Sequence, residues 1–159
     1  MTSAETLTAG GRTLTRASAA DRTEIETLQR AAYARNRSLL GVEPLPLLAD
    51  YDLICKTHEV WLTHTDDRIS GVLILEERPG DLLIWSVAAD PAYQGHGLGR
   101  AMLTAAETRA RQLGRQVLRL YTGAPLQHLI DWYGRHGFVT ERLERLSDRS
   151  IVHMVKSLA

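Results

Sequence analysis

The chain has 159 residues, of which 44% are apolar and 24% charged, and its 19 basic and 19 acidic side chains give a formal net charge of zero. This length is typical of one domain, and the charge balance argues against a diffuse cationic surface for nucleic acid or membrane. The single cysteine, Cys55, excludes an intrachain disulfide, and no Cys/His spacing predicts a zinc site.

The N-terminal residues 1–11 are small and polar. They lack the basic start and apolar core of a secretory signal, so we expect a flexible tail followed by a single domain over residues 12–159. The longest apolar stretches, Val72–Leu75 and Leu82–Trp85, are much shorter than the ~20 residues that a membrane span requires. The sequence therefore predicts a soluble, cytoplasmic protein with no membrane or nucleic-acid partner.

The sequence of the first half of this domain predicts a strand, then helices, then an antiparallel meander. Arg12–Ala17 alternates as a short strand does, and the Asp-x-x-Glu pattern at Asp21 predicts a capping box that opens a helix ending near Arg37. Two prolines within Gly41–Pro46 deny a regular element, and a short helical piece is predicted over residues 47–54. Three strands follow, the last two joined by a turn: residues 59–64, 69–76 and 81–88.

The second half contains a glycine-dense loop, Gln94–Arg100, that runs directly into a helix with an apolar stripe ending at Leu113. Val117–Thr122 predicts a further strand, and Pro125 opens a helix that ends at Gly137. Two closing strands are predicted at residues 138–141 and 151–156. This order of elements predicts an α/β (α+β) layer structure without internal repeats.

The glycine loop predicts an anion-binding site. Gly95, Gly97 and Gly99 alternate between a strand and a helix start, where free N–H groups and the positive end of the helix dipole favour phosphate. The spacing does not match the dinucleotide fingerprint, the preceding strands form no βαβ unit, and a Walker A loop would require a lysine that is absent here. A glycine loop alone also fits a simple turn into a helix.

Two motifs resemble one known family. Residues 94–99, Gln-Gly-His-Gly-Leu-Gly, are similar to the Q/R-x-x-G-x-G/A motif of the GNAT family of N-acetyltransferases, and Ser86–Tyr93 resembles the strand that precedes this motif. Downstream, Trp132–Phe138 resembles the family's Y-x-x-x-G-F motif. The likeness extends over most of the chain and includes features of small bacterial members, such as the Gly41–Pro46 segment. It implies a mixed, mostly antiparallel central sheet of about six to seven strands flanked by helices.

The resemblance implies acetyl-CoA, or a related acyl-CoA, as acyl donor, and no metal. Main-chain groups of the family's fourth strand, here Val87, Ala88 and Ala89, would hold the pantetheine arm. The donor's pyrophosphate would lie on the loop and the first turn of the helix: Gln94, Gly95, His96, Gly97, Leu98, Gly99 and Arg100. The imidazole of His96 and the guanidinium of Arg100 are also compatible with solvated positions.

The same resemblance implies a general acid. Tyr133 matches the tyrosine that protonates the leaving thiolate in the family, and a phenol with a pKa of ~10 carries its proton at neutral pH. The alternative is a tyrosine that only packs beside Ile130. No carboxylate lies within residues 83–86, so the base stays open. The candidates are Glu76, Glu77, His58 and water.

The acceptor side is less defined by the sequence. Trp85 faces either the core or the acceptor cleft, depending on strand parity. Tyr33, Arg35 and Arg37 lie where family members usually form an acceptor wall, and surface exposure is the alternative. The predicted function is transfer of an acetyl group from acetyl-CoA to an amine of an unidentified small molecule, peptide or protein by direct attack in a ternary complex, with a homodimer by family analogy. A non-catalytic acyl-CoA-binding module of the same fold and a nucleotide-binding protein of another fold are the alternatives.

Overall fold

The computed structural model describes residues 5–159, in which helices lie on both faces of one eight-stranded sheet. The strands are β1 (Thr6–Ala9), β2 (Arg12–Arg16), β3 (Glu59–Thr65), β4 (Arg68–Glu77), β5 (Leu82–Ala89), β6 (Val117–Gly123), β7 (Val139–Arg145) and β8 (Ser150–Ser157). The helices are α1 (Arg22–Leu40), α2 (Leu45–Leu48), α3 (Tyr51–Thr57), α4 (Leu98–Gln112) and α5 (Gln127–Arg135).

The strand order is β1-β2-β3-β4-β5-β6-β8-β7. Neighbouring strands are antiparallel except for the central pair β5 and β6, which the α4 crossover joins in parallel. The predicted mixed, mostly antiparallel sheet flanked by helices is therefore confirmed, with eight strands in place of six to seven.

The flexible tail expected over residues 1–11 is wrong over β1, which pairs antiparallel with β2. Leu7 is 2% exposed and lies opposite Leu14. The two strands meet at Gly10 and Gly11, whose φ angles of 58° and 76° suit the tight hairpin turn. Every second side chain of β1 is apolar and buried, which orders a segment whose composition alone predicts a flexible tail. Residues 1–4 of the predicted tail lie outside the described residues.

The helix caps also differ from their predicted positions. The Asp21 carboxylate accepts a hydrogen bond from the backbone N–H of Ser18 (2.9 Å), so the capping box lies one turn earlier than predicted. α1 continues three residues past the predicted end, and Gly41, with φ of 72°, ends it. The helical piece predicted over residues 47–54 is two helices, α2 and α3, because the Asp50 side chain caps the second by accepting from the N–H of Asp52 (3.0 Å).

Two apolar clusters cover the two faces of the sheet. Alternation along β4 sends Leu73 and Leu75 toward α4 and sends Val72 and Ile74 toward α1 and α3, and all four are fully buried. Among residues 5–159, no helix combines the length and apolar character needed to cross a bilayer. Over the same part of the chain, no group of three or more His, Cys, Asp or Glu side chains is arranged to hold a metal ion.

Candidate active site

The candidate site begins where β5 and β6 separate. Their parallel pairing runs from Leu82 opposite Leu118 to Ile84 opposite Leu120 and then stops. Beyond this point β5 stays paired with β4, and β6 stays paired with β8, on their outer sides. The backbone groups of residues 85–89 that face β6 therefore have no strand partner in the described sheet, and an extended, amide-bearing ligand can pair with them.

A β-bulge lies at the same point. Ile84 and Ser86 lie opposite consecutive residues of β4, so Trp85 is the extra residue. Ile84 consequently packs on the α4 side of the sheet while Ser86 bonds to α1. Trp85 packs edge-on against Tyr51 and His58, with ring centroids 6.3 and 5.7 Å apart, and also lines the cavity described below. It therefore belongs to both the core and the cleft, which the sequence offered as alternatives.

A cavity of about 660 Å³ fills the gap between the two strands. Its wall includes residues of α1 on one face of the sheet and of α4 and α5 on the other, and its volume is typical of a small-molecule site. All but one of the residues predicted to hold the donor or supply the acid line it: Val87, Ala88, Ala89, Gln94, Gly95, Gly97, Leu98, Gly99, Arg100 and Tyr133. The exception, His96, is exposed, and its carbonyl accepts a hydrogen bond from the Arg12 guanidinium (3.0 Å).

The glycine loop presents a run of free backbone donors. Within residues 5–159, no N–H group from Gly95 to Arg100 donates to the backbone, and the first helical bond of α4 is from the N–H of Ala101 to the carbonyl of Gly97 (3.0 Å). Gly95 and Gly97 have φ angles of 85° and 79°, which only glycine adopts without strain. Consecutive free N–H groups at a helix N-terminus form a concave site for an anion.

Two contacts hold the loop in this shape. The Gln94 side-chain amide donates to the carbonyl of Ala89 at the end of β5 (3.3 Å). On the other side the Trp132 ring packs so closely on Gly99 that a Cβ there would lie 3.0 Å from Trp132 Cζ2. Packing therefore requires a glycine at position 99, whereas backbone conformation requires the glycines at positions 95 and 97.

Tyr133 is the buried residue of α5 and is 8% exposed. Its ring packs against Phe138 and Trp132, with centroids 5.9 and 5.1 Å apart. Burial raises the pKa of the phenol, and the nearby Tyr33 phenol raises it further. No residue in the described part of the chain hydrogen-bonds to the hydroxyl, so the cavity contains a protonated phenol free to bond to a ligand.

The sequence profile of the acetyltransferase (GNAT) family matches residues 23–138, which include the splayed strands, the loop and Tyr133. The chain belongs to the GNAT acetyltransferase family. A comparison with curated protein sequences found no match.

Solved GNAT structures share the fold. The ribosomal-protein-S18-alanine N-acetyltransferase of Escherichia coli is 17% identical, with a TM-score of 0.74 over 92% of this chain and 93% of that one. A Bacillus subtilis acetyltransferase in complex with CoA is 18% identical, with a TM-score of 0.72 over 92% and 98%. An Elizabethkingia anophelis GNAT acetyltransferase with acetyl-CoA bound is 18% identical, with a TM-score of 0.61 over 73% and 92%.

None of the three side chains proposed as the base of this GNAT protein lines the cavity. Glu77 pairs with Arg115, with 3.1 Å between carboxylate oxygen and guanidinium nitrogen. His58 Nε2 lies 3.4 Å from Glu76 Oε2, and His58 touches the cavity wall through Trp85. Water is the remaining candidate from the sequence.

A buried polar network that the sequence did not predict lies behind the α1 wall. The Gln29 amide nitrogen donates to the Tyr51 hydroxyl and to Ser86 Oγ, both at 3.0 Å, and Ser86 Oγ lies 2.8 Å from the Tyr33 hydroxyl. The Tyr51 hydroxyl donates to the carbonyl of Pro46 (2.8 Å). The sequence did contain one hint of this network. Gln29 lies on the apolar face of α1, where it is fully buried, and a polar side chain in such a place needs hydrogen-bond partners.

Apart from the tyrosine phenols, the ionisable side chains among the described residues that line the cavity are all basic: Arg35, Arg100, His128, Arg135 and Arg149. No aspartate or glutamate lines it among the described residues, and residues 1–4 contain neither. Of the residues expected at the acceptor wall, the half-buried Tyr33 and the exposed Arg35 both line the cavity. Arg37 does not, because it turns away to pair with Glu43 (2.9 Å).

Proposed function

We propose that this GNAT protein is an N-acetyltransferase that transfers the acetyl group of acetyl-CoA to an amine by direct attack in a ternary complex. The observation that carries the proposal is the run of free N–H groups from Gly95 to Arg100 on the same cavity as the Tyr133 phenol. Its family membership supports acetyl transfer in general.

The donor fits the chain as follows. Those backbone groups of residues 87–89 that face β6 and have no partner would hydrogen-bond to the amides of the pantetheine arm, in the way a neighbouring strand would. The pyrophosphate would accept from the N–H groups of the glycine loop, and the exposed Arg100 guanidinium lies one turn into α4 beside them. Backbone donors can hold this polyanion without excess positive charge, which is consistent with a net charge of zero.

The chemistry requires few side chains. The neutral amine nitrogen forms a C–N bond to the thioester carbon, the C–S bond breaks, and CoA leaves as a thiolate while the nitrogen loses one proton. Tyr133 would give its phenol proton to the sulfur and regain one from solvent. Since the cavity has no carboxylate among its described lining residues, the amine's proton would leave to water, and the rate would rise with pH as the acceptor's own ammonium group titrates.

A non-catalytic acyl-CoA-binding module is the second candidate, and it is favoured because no carboxylate lines the cavity among residues 5–159. Titration calorimetry with CoA, NAD and ATP, followed by thiol release from acetyl-CoA with a panel of amines, tests both. The enzyme requires a strong preference for CoA and amine-dependent thiol release. Binding of CoA without acylation of any amine would support the module.

Several finer predictions stay predictions. These are the cytoplasmic location, the bacterial origin, the homodimer, the choice of acetyl over a longer acyl group and the single domain, whose predicted start at residue 12 is moved forward by the pairing of β1.

A further inference from the structure

The charge of the cavity restricts the acceptor. A polyamine, an aminoglycoside or a lysine-rich peptide would bring several positive charges against a wall whose described residues include five basic side chains and no carboxylate. Within the described residues no carboxylate is available to compensate those charges, and like charges brought together in a cleft repel. The cavity therefore suits an acceptor that is neutral or negative apart from its reacting amine.

One of the basic groups is both free and on the acceptor side. Arg149 is neutralised by Asp148 (2.9 Å) and donates to the carbonyl of Glu43 (2.8 Å). Arg100 lies beside the loop proposed to hold the donor's pyrophosphate, and His128 and Arg135 lie on α5, whose Trp132 packs on Gly99 of that loop. Arg35 lies on α1, which supplies no donor-binding residue, and its guanidinium has no ion-pair or hydrogen-bond partner within residues 5–159. Arg35, which is exposed, is thus an uncommitted cation on the α1 side of the cavity.

The buried network fixes a second donor beside it. The Pro46 carbonyl can only accept, so the Tyr51 hydroxyl donates to it and must accept from Gln29. This fixes the orientation of the Gln29 amide, whose second N–H donates to Ser86 Oγ. The Ser86 proton is then left for the Tyr33 oxygen, since Ser86 is 3% exposed and has no other acceptor in the described part of the chain. The Tyr33 hydroxyl consequently keeps its own proton for a ligand in the cavity.

A third donor lies one helical turn from Tyr33. Asn36 is 7% exposed and lines the cavity, and no described residue hydrogen-bonds to its side-chain amide. Positions 33 and 36 share one face of α1, and Arg35 is the exposed residue between them; all three side chains line the cavity. One cation with two neutral donors complements a monoanion such as a carboxylate.

We propose that the acceptor is a small amine that carries a carboxylate, as a free amino acid does, and that Arg35, Tyr33 and Asn36 bind this carboxylate. The proposal rests on the proposed acetyl transfer and adds the substrate class. A cavity of about 660 Å³ that also takes the donor's thioester suits a small molecule better than a polypeptide. Beside it the Arg149 side chain bridges to the carbonyl of Glu43, and Leu40 packs directly on Gly123.

The test is acetyl-CoA-dependent thiol release with free amino acids, each paired with its carboxamide, and with spermidine as a polycation. We expect the best acceptor to be a free amino acid, and its carboxamide to lose about 10- to 100-fold in kcat/KM, as for loss of a hydrogen-bonded charge pair. Arg35→Ala should raise KM for that amino acid by a similar factor. It should leave KM for acetyl-CoA unchanged and affect the carboxamide much less, because the neutral amide forms no ion pair with Arg35.

Arg30→Ala is the matched control, because Arg30 lies on the exposed side of the same helix and pairs with Glu26. Tyr33→Phe separates contact from charge: it removes one neutral donor, so KM should rise for the amino acid and, more weakly, for its carboxamide, whose oxygen also accepts. Equal use of acid and carboxamide, or an equal effect of Arg35→Ala on both, would overturn the inference while leaving acetyl transfer intact.

If no amine is acetylated, calorimetry decides the substrate class separately. The same amino acids are titrated into the CoA-loaded protein and into its Arg35→Ala variant. Binding that depends on Arg35 and is lost with the carboxamides supports the carboxylate site even though the proposed activity fails. Absence of binding to the loaded wild-type protein overturns it.

Discussion

Gly97→Ala tests whether the glycine loop holds the donor's phosphates. Gly97 has φ of 79°, and no atom lies within 4 Å of the place that a Cβ would occupy, so the substitution acts through backbone strain alone. An alanine in the left-handed region costs roughly 1–2 kcal/mol. If the loop of the variant keeps its shape without ligand, the free energy of unfolding falls by this amount. If the loop relaxes instead, the protein pays the strain energy only when CoA binds and restores the shape. In the second case the Kd for CoA rises about 5- to 30-fold.

The assay combines titration calorimetry with urea unfolding of the ligand-free protein. The loss in CoA binding free energy and the loss in unfolding free energy should add up to the strain energy. S-acetylpantetheine, which lacks the pyrophosphate, should bind the variant and the wild type equally well. Gly80→Ala is the control, because Gly80 also has open space around it but no positive φ. If Gly97→Ala changes neither stability nor CoA affinity, or weakens both ligands alike, the loop does not bind phosphate as described.

Two further predictions concern stability. Asp81, 4% exposed, accepts from Arg78 (2.6 Å) and Arg119 (2.9 Å), and these hydrogen bonds lower the pKa of its carboxyl. This stabilisation is present above the unfolded pKa of ~3.9 and is lost as pH falls through the folded pKa. Asp81→Asn should therefore lower the free energy of unfolding, measured in urea, by about 2–4 kcal/mol at pH 7 and by progressively less in acid. A loss that does not depend on pH would contradict this prediction. Gly99→Ala should cost about 1–3 kcal/mol by displacing the Trp132 ring, and the smaller ring of Trp132→Phe in the same chain should recover part of that loss; no recovery would refute the packing role of Gly99.

Local patterns predicted the central strands and the loop well. β3, β4, β5 and β6 begin and end within two residues of their predicted limits, because alternation and turn residues mark them without reference to the rest of the chain. β1 was missed because four residues become a strand only when β2 supplies the partner. The same non-local cause explains the extra strand in the sheet.

The site was predicted where it depends on backbone and motif, and missed where it depends on pairing between distant segments. The free N–H groups follow from the glycine pattern itself. The position of Trp85 could not be predicted from alternation, because the bulge that decides it arises from the register between β4 and β5. The network of Gln29, Ser86 and Tyr33 joins residues 57 and 53 positions apart, which no local pattern encodes.

The central claim is that Tyr133 protonates the leaving thiolate in an acetyl transfer. The direct measurement is thiol release by wild type and Tyr133→Phe with acetyl-CoA and the best amine of the panel, with CoA affinity measured in parallel. Because no described residue hydrogen-bonds to this hydroxyl, the variant should fold and bind CoA normally while turnover falls by ~10²- to 10⁴-fold. Wild-type turnover in Tyr133→Phe, or a fall that follows lost CoA affinity, would contradict the account.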